Sequence, residues 1–173
     1  IKISELSSDV KRQNSTQDVH IISSKEIKSS DLHFQDLIND LPNLNYAGGT
    51  SRARYFQIRG IGELSQYVGE GGPNYYVGTV IDDIDVSGIG MPIFLDDVAQ
   101  IELFQGPQSY AYGHNAMAGL INVKTKDPIG IFNNDINITI GNDNLMKSSL
   151  HTNYKPLLSK KLFINQFTYY SQQ

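Results

Sequence analysis

The sequence predicts an α+β fold: a small mixed β-sheet with short helices, followed by a separate run of antiparallel strands. Three observations carry this prediction. Residues 98–126 hold two apolar strand patterns joined by a Gly/Pro stop and a small-residue segment. Leu32, Leu37, Ile38 and Leu41 fall on one face at helical spacing, and Pro42 ends that helix. Beyond Thr125, Ile136, Ile138 and Ile140 alternate with Asn137 and Thr139, the period-2 signature of a strand.

Taken in order, residues 1–18 are polar, mix charges and show no alternation beyond Ile1 and Ile3, which predicts a flexible leader. Residues 19–22 predict a short strand, and Ser23 with Glu26 three positions later forms a capping-box pattern for a brief helix. Asp31 is placed to cap the helix carrying Leu37 and Ile38. Residues 43–50 are turn-rich, with Gly48 and Gly49, and a strand follows at 55–59 before Gly60 and Gly62 free the backbone to bend. Residues 61–75 read as a long polar loop, because Gly69, Gly71, Gly72 and Pro73 do not support a helix. An apolar strand at 76–81 then leads to Asp82-Asp83, a pair that tolerates left-handed turn geometry.

In the next segment Ile101, Leu103 and Phe104 bracket Glu102 in a strand that Gly106-Pro107 stops, since proline cannot donate to a ladder. Gly113-His114-Asn115 provides a turn that tolerates positive φ, ahead of a short turn at Ala116-Met117-Ala118 and a second strand at 120–125. Gly141-Asn142-Asp143-Asn144 then closes a hairpin onto residues 146–154. A third strand is expected at 162–170, with Phe163, Phe167 and Tyr169 on one face. Strands of about 9–11 residues with one apolar side suit a membrane barrel, and an amphipathic soluble hairpin fits the same pattern.

Composition removes several function classes. A net charge of −4 without a Lys/Arg cluster argues against a nucleic-acid surface. The absence of cysteine excludes disulfides and thiolate metal sites and is neutral about compartment. His20, His33, His114 and His151 sit at no metal-ligand spacing, and no serine lies in a G-x-S-x-G elbow, so no catalytic residue, metal or cofactor is expected. Gly60-Ile61-Gly62 opens like a dinucleotide fingerprint, but Ser65 stands at the third glycine position. Asp82, Asp83 and Asp85 lack the glycine and distal glutamate of a calcium loop. No window approaches the roughly 18 apolar residues of a membrane helix, so any membrane crossing would be by strands.

Ile101-Glu102-Leu103-Phe104-Gln105-Gly106-Pro107-Gln108-Ser109, followed by Tyr112-Gly113-His114-Asn115-Ala116 and Ala118-Gly119-Leu120-Ile121, resembles the plug-domain signature of TonB-dependent outer-membrane receptors. Phe56-Gln57-Ile58-Arg59-Gly60-Ile61-Gly62 is similar to the IRG strand of that family, and Gln17-Asp18-Val19 with Ile21-Ile22-Ser23 to its opening segment. The match runs in the family's order over roughly residues 10–128. It implies a leader at 1–18, a globular plug at 19–127, and the first three antiparallel strands of a transmembrane β-barrel at 128–173. Three strands cannot close a barrel, and plugged transporters use about 22, so the chain is expected to be a fragment.

The implied function is a plug that gates energy-coupled uptake of a scarce nutrient. An iron–siderophore complex is the default ligand, with cobalamin, haem and oligosaccharide as alternatives. The implied partners are TonB, the inner-membrane energiser, and the nutrient. The implied location is the outer membrane, with the plug in the barrel lumen and the leader in the periplasm. The rival is a soluble periplasmic plug-like binding or signalling module.

The resemblance also implies residue roles. Ile1, Lys2, Ile3 and Ser4 match a coupling segment that adds a strand to TonB through main-chain hydrogen bonds. Arg52, Arg54, Tyr67, Tyr75 and Tyr76 fall where plug apices meet ligand, and ordinary loop residues are the alternative. Arg59 corresponds to an arginine implicated in contacts with barrel-wall carboxylates. Gln105 stands where the family usually carries arginine and cannot offer a charged fork. Glu102 is expected to pair with Arg59 or with the wall.

Overall fold

Alternating apolar residues become strands through most of the chain. In order these are β1 (Lys2–Glu5), β2 (Ser8–Lys11), β3 (Val19–Ser23), β4 (Leu44–Ala47), β5 (Tyr55–Ile58), β6 (Ile61–Gly62), β7 (Val77–Ile81), β8 (Ile84–Asp85), β9 (Val98–Gln105), β10 (Gly119–Thr125), β11 (Asn133–Ile140), β12 (Met146–Tyr154) and β13 (Ile164–Gln172). Short 3₁₀ segments occupy Phe34–Asp40, Leu95–Asp97 and Gly113–Ala116, and one α-helical turn, α1, occupies Ser109–Tyr112. The structure, a computed structural model, describes residues 2–5, 8–11, 18–28, 30–31, 33–47, 55–62, 75–89, 91, 93–127, 133–142, 144–154 and 164–172. The chain divides into two units, Ile1–Thr125 and Lys126–Gln173.

The first unit is organised by a five-stranded sheet in the order β3-β9-β10-β7-β8. β9 runs antiparallel to both β3 and β10, whereas β10 and β7 are parallel, which makes the sheet mixed. Strand alternation sorts side chains onto its two faces. Ile101, Leu103, Ile121 and Val123 face a core with Phe34, Leu37, Leu41, Leu44, Phe56 and Ile58. Val19, Ile21, Val80, Phe104 and Leu120 cluster with Ala116 separately. The Phe34 and Phe56 rings meet edge to face at 5.5 Å, tying the Phe34–Asp40 segment to β5.

Several sequence expectations change. The leader contains a hairpin, with β1 antiparallel to β2 and Lys2 opposite Lys11. The Ser23 N–H and hydroxyl both donate to Glu26 Oε2, but the Glu26 N–H donates to the Ser23 carbonyl rather than to its side chain, and residues 24–26 stay a turn. The expected helix is a 3₁₀ segment beginning after His33, whose backbone N–H donates to Asp36 Oδ2 at 2.9 Å. Asp31 instead accepts from the Lys28 N–H at 2.8 Å, so its carboxylate closes the preceding turn. The turn-rich stretch after Asn43 contains β4, which pairs with β5. Gly113 to Ala116 is helical, and none of its described residues has positive φ. The segment between Gly62 and Tyr75 lies outside the described residues.

The second unit is a three-stranded antiparallel sheet, β11-β12-β13. Lys147, Ser149, His151 and Asn153 alternate on β12 and are buried, while Ile136, Ile138, Ile140, Met146, Leu150 and Tyr170 are exposed. Phe167 and Tyr169 are in register with His151 and Ser149 across the β12–β13 pair. Phe163 lies outside the described residues.

Candidate functional site

Two tight turns set the geometry of the first unit's polar groups. β5 and β6 are joined by Arg59 (φ 54°) and Gly60 (φ 77°), with Ile58 opposite Ile61. β7 and β8 are joined by Asp82 (φ 46°) and Asp83 (φ 67°), with Ile81 opposite Ile84. Both are two-residue hairpin turns needing consecutive left-handed residues. Aspartate accommodates that geometry, and Asp82 is further held because it accepts from the Thr125 N–H and hydroxyl at 3.0 and 2.7 Å. Arginine carries no such local help, so Arg59 sits strained and is fixed by its partners.

Those partners form a polar cluster around the β5–β6 turn. Arg59 Nη2 donates to Asp18 Oδ2 at 2.7 Å, and Nε donates to Gln105 Oε1 at 3.2 Å. Gln105 Oε1 also accepts from Asn43 Nδ2 at 3.3 Å, while Gln105 Nε2 donates to the Pro42 carbonyl at 3.1 Å. The Arg59 N–H donates to the Asn43 carbonyl and the Gln105 N–H to the Asp18 carbonyl. The Arg59 side chain is 53% exposed and that of Asp18 63% exposed, so the pair lies at the surface, whereas Gln105 is buried.

Glu102 does not join this cluster, which corrects the expected pairing with Arg59. The reason is strand parity: residues 103 and 105 share the face of the Phe34 core, and residues 102 and 104 point to the other side. Glu102 is fully buried there and accepts from Gln100 Nε2 at 2.6 Å and Asn122 Nδ2 at 2.8 Å. Asn122 lies opposite Glu102 in the ladder, and its own Oδ1 is buried without a hydrogen-bond partner.

Of the expected ligand residues, Tyr75 and Tyr76 are described, and Arg52, Arg54 and Tyr67 lie outside the described residues. The Tyr75 ring stacks on Tyr55, centroids 6.1 Å apart and planes 25° apart, and lies against Gly88. Tyr76 is 43% exposed and directs its aromatic surface to solvent. Tyr55 follows residues 48–54 and Tyr75 follows residues 63–74, so the stack joins the roots of both segments. Of the coupling residues, Lys2, Ile3 and Ser4 form part of β1, and Ile1 lies outside the described residues. Tyr55 does not stand out in the sequence, and Asp18 does so only within the opening-segment match; each matters through a partner, 41 positions away for Asp18 and 20 for Tyr55.

Among the described residues no group of three or more His, Cys, Asp or Glu side chains is arranged to hold a metal ion, and no helix is long and apolar enough to cross a membrane. The described polar groups form a held cation at Arg59 and an amide–carboxylate row at Gln100, Glu102 and Asn122.

Comparison with known proteins agrees with this picture. The family described as TonB-dependent Receptor Plug Domain matches residues 11–120. The ferric yersiniabactin uptake receptor FyuA from Yersinia pestis is 20% identical, with a TM-score of 0.65 over 85% of this chain and 23% of that protein. The ferripyoverdine receptor from the outer membrane of Pseudomonas aeruginosa is 12% identical, with a TM-score of 0.75 over 98% of this chain and 22% of the receptor. The alcaligin outer-membrane receptor FauA from Bordetella pertussis is also 12% identical, with a TM-score of 0.76 over 99% of this chain and 29% of that receptor. This chain thus spans less than a third of the length of each of these structures.

Proposed function

This chain belongs to the TonB-dependent receptor plug family, and from that premise we propose that it forms the gate and the first barrel strands of an outer-membrane receptor for energy-coupled uptake of a ferric siderophore. The carrying observation is the order of the two units. A plug-type mixed sheet ends at Thr125, and strands of eight and nine residues follow, with a buried polar row on β12 and exposed isoleucines on β11. Nine residues of β-strand extend about 30 Å, enough to cross a bilayer core when tilted. Apolar-out and polar-in alternation is the pattern of barrel strands. That exposed face also disfavours a soluble periplasmic module, which would leave the isoleucines in water.

In this reading ligand binds over Tyr76 and the neighbouring segments that hold Arg52, Arg54 and Tyr67, with Tyr75 setting the root. Exposed aromatics supply contact area with few rotors, and arginines suit anionic ferric complexes. Arg59 takes the plug-retention role, and Glu102 stiffens the sheet behind it. The leader offers Lys2, Ile3 and Ser4 on β1, one side of which pairs with β2, and strand addition by TonB would use the other. The siderophore assignment is supported by two structural neighbours, an uptake receptor for ferric yersiniabactin and a receptor bound to ferripyoverdine.

Uptake of radiolabelled iron by cells expressing the full-length receptor tests the function. TonB-dependent uptake of at least one ferric siderophore, lost on deletion of the gene, is the expected result. Normal iron uptake in the deletion strain, with loss of haem or cobalamin uptake, would reassign the cargo. Retention of every uptake activity would remove the transport reading.

A further inference from the structure

Gln105 holds more of the Arg59 neighbourhood in place than any other described side chain, and we propose that it is a positioning residue that aims Arg59 at Asp18, so that the root of the leader is latched to the β5–β6 turn. The geometry stands by itself, and the consequence for gating rests on the plug reading above.

The Gln105 amide has one workable orientation. Its Nε2 faces the Pro42 carbonyl and must be the donor end, which leaves Oε1 toward Asn43 Nδ2 and Arg59 Nε, both donors. An arginine or lysine here would present donors to donors and a second positive charge to Arg59. The neutral acceptor therefore fits the cation, and Arg59, strained at φ 54°, is left with Nη2 on Asp18.

Asp18 is gripped twice by the same pair of residues. The Gln105 N–H holds its carbonyl at 2.9 Å, and the Arg59 guanidinium holds its carboxylate. The next residue, Val19, begins β3 and pairs with Phe104. β3 is the outer strand of its sheet, with β9 as its one neighbour. A pull on the leader therefore meets Asp18 before it meets the first ladder pair of β3. Whether the edge strand follows the leader is set at this latch, which is built from one carboxylate, one guanidinium and one amide.

Amide hydrogen exchange on the full-length receptor tests this with a double-mutant cycle. Gln105→Met keeps volume and removes the amide, and Asp18→Asn removes the charge without changing shape. Each is expected to speed exchange of the β3 amides by roughly two- to fivefold, the scale of an exposed ion pair, while leaving β10 unchanged. Gln105→Met should add nothing in the Asp18→Asn background. Equal effects of Gln105→Met in both backgrounds would overturn the proposal, because Gln105 would then act through packing alone. Unchanged β3 exchange in Asp18→Asn would overturn it as well, without recourse to any Gln105 variant. A receptor that imports no ferric complex would defeat the transport reading and leave this cycle decisive for the latch.

Discussion

The Tyr75 ring lies over the backbone of Gly88, so that a Cβ at residue 88 would overlap the phenol, and Gly88 itself has φ 75°. Gly88→Ala therefore meets two costs at once, a displaced ring and a left-handed backbone. Destabilisation of the plug by about 1–3 kcal/mol is expected. Tyr75→Ala in the Gly88→Ala background should recover part of that loss in urea unfolding, since the overlap is then gone.

Tyr76 and Tyr75 should separate in binding assays. Tyr76→Ala is expected to weaken ligand affinity with little change in unfolding midpoint, because the ring is already solvent-facing. Tyr75→Ala should lower both, because the stack with Tyr55 is lost, and such aromatic pairs are worth about 0.5–1.5 kcal/mol. Equal thermal shifts for the two variants would refute the distinction.

Glu102→Gln should cost about 1–3 kcal/mol of plug stability. Both carboxylate oxygens accept from amide donors, and a glutamine would turn one of those ends into a donor facing a donor. Asn122→Asp beside Glu102→Gln restores one donor–acceptor match, so the double variant is expected to recover stability in chemical denaturation.

Glu26 supplies a pH dependence. The Ser23 backbone N–H, and then its hydroxyl, hold the Glu26 carboxyl below its ordinary value of 4.5. A depressed folded-state value means the contribution is fully present above 4.5 and is lost as pH falls through the lower folded value. Stability measured from pH 5 downward should decline less steeply in Glu26→Gln than in the wild type. Parallel curves would show that the Ser23 turn has no part in the acid response.

Ile138→Lys tests the exposed face of β11, where Ile138 is 65% exposed. In a lipid-facing position near mid-bilayer the change costs about 2–4 kcal/mol, and the yield of folded receptor in outer membranes should drop. Asn137→Lys, one position away on the other face and opposite Ser149, should be tolerated. Equal yields for the two variants would place the sheet outside the bilayer.

Much of the architecture is legible in local pattern. Ile101, Leu103 and Phe104 announce β9, Asp82-Asp83 announces its turn, and the isoleucine alternation announces β11, because each signal lies within a few residues. The Phe34–Asp40 segment was legible as a helix with a buried face, but its 3₁₀ form and its start after His33 were not. The hydrogen bond that decides them runs from the His33 backbone to Asp36, and Asp31 is equally suited to capping on composition. β4 was hidden by its glycine-rich neighbours, since a four-residue strand carries too short a pattern and is made by pairing with β5.

By itself the sequence determined the family, the two-part order of plug and strands, and the lack of any thiol in this chain, because motifs, composition and period-2 alternation are local properties of the chain. Tertiary structure alone decided which charges meet. Arg59 reaches Asp18 across 41 positions and Gln105 across 46, while Glu102, three residues from Gln105, is turned to the opposite face. Partner choice depends on sheet order and strand parity, and these are set by long-range pairing rather than by any window of the sequence.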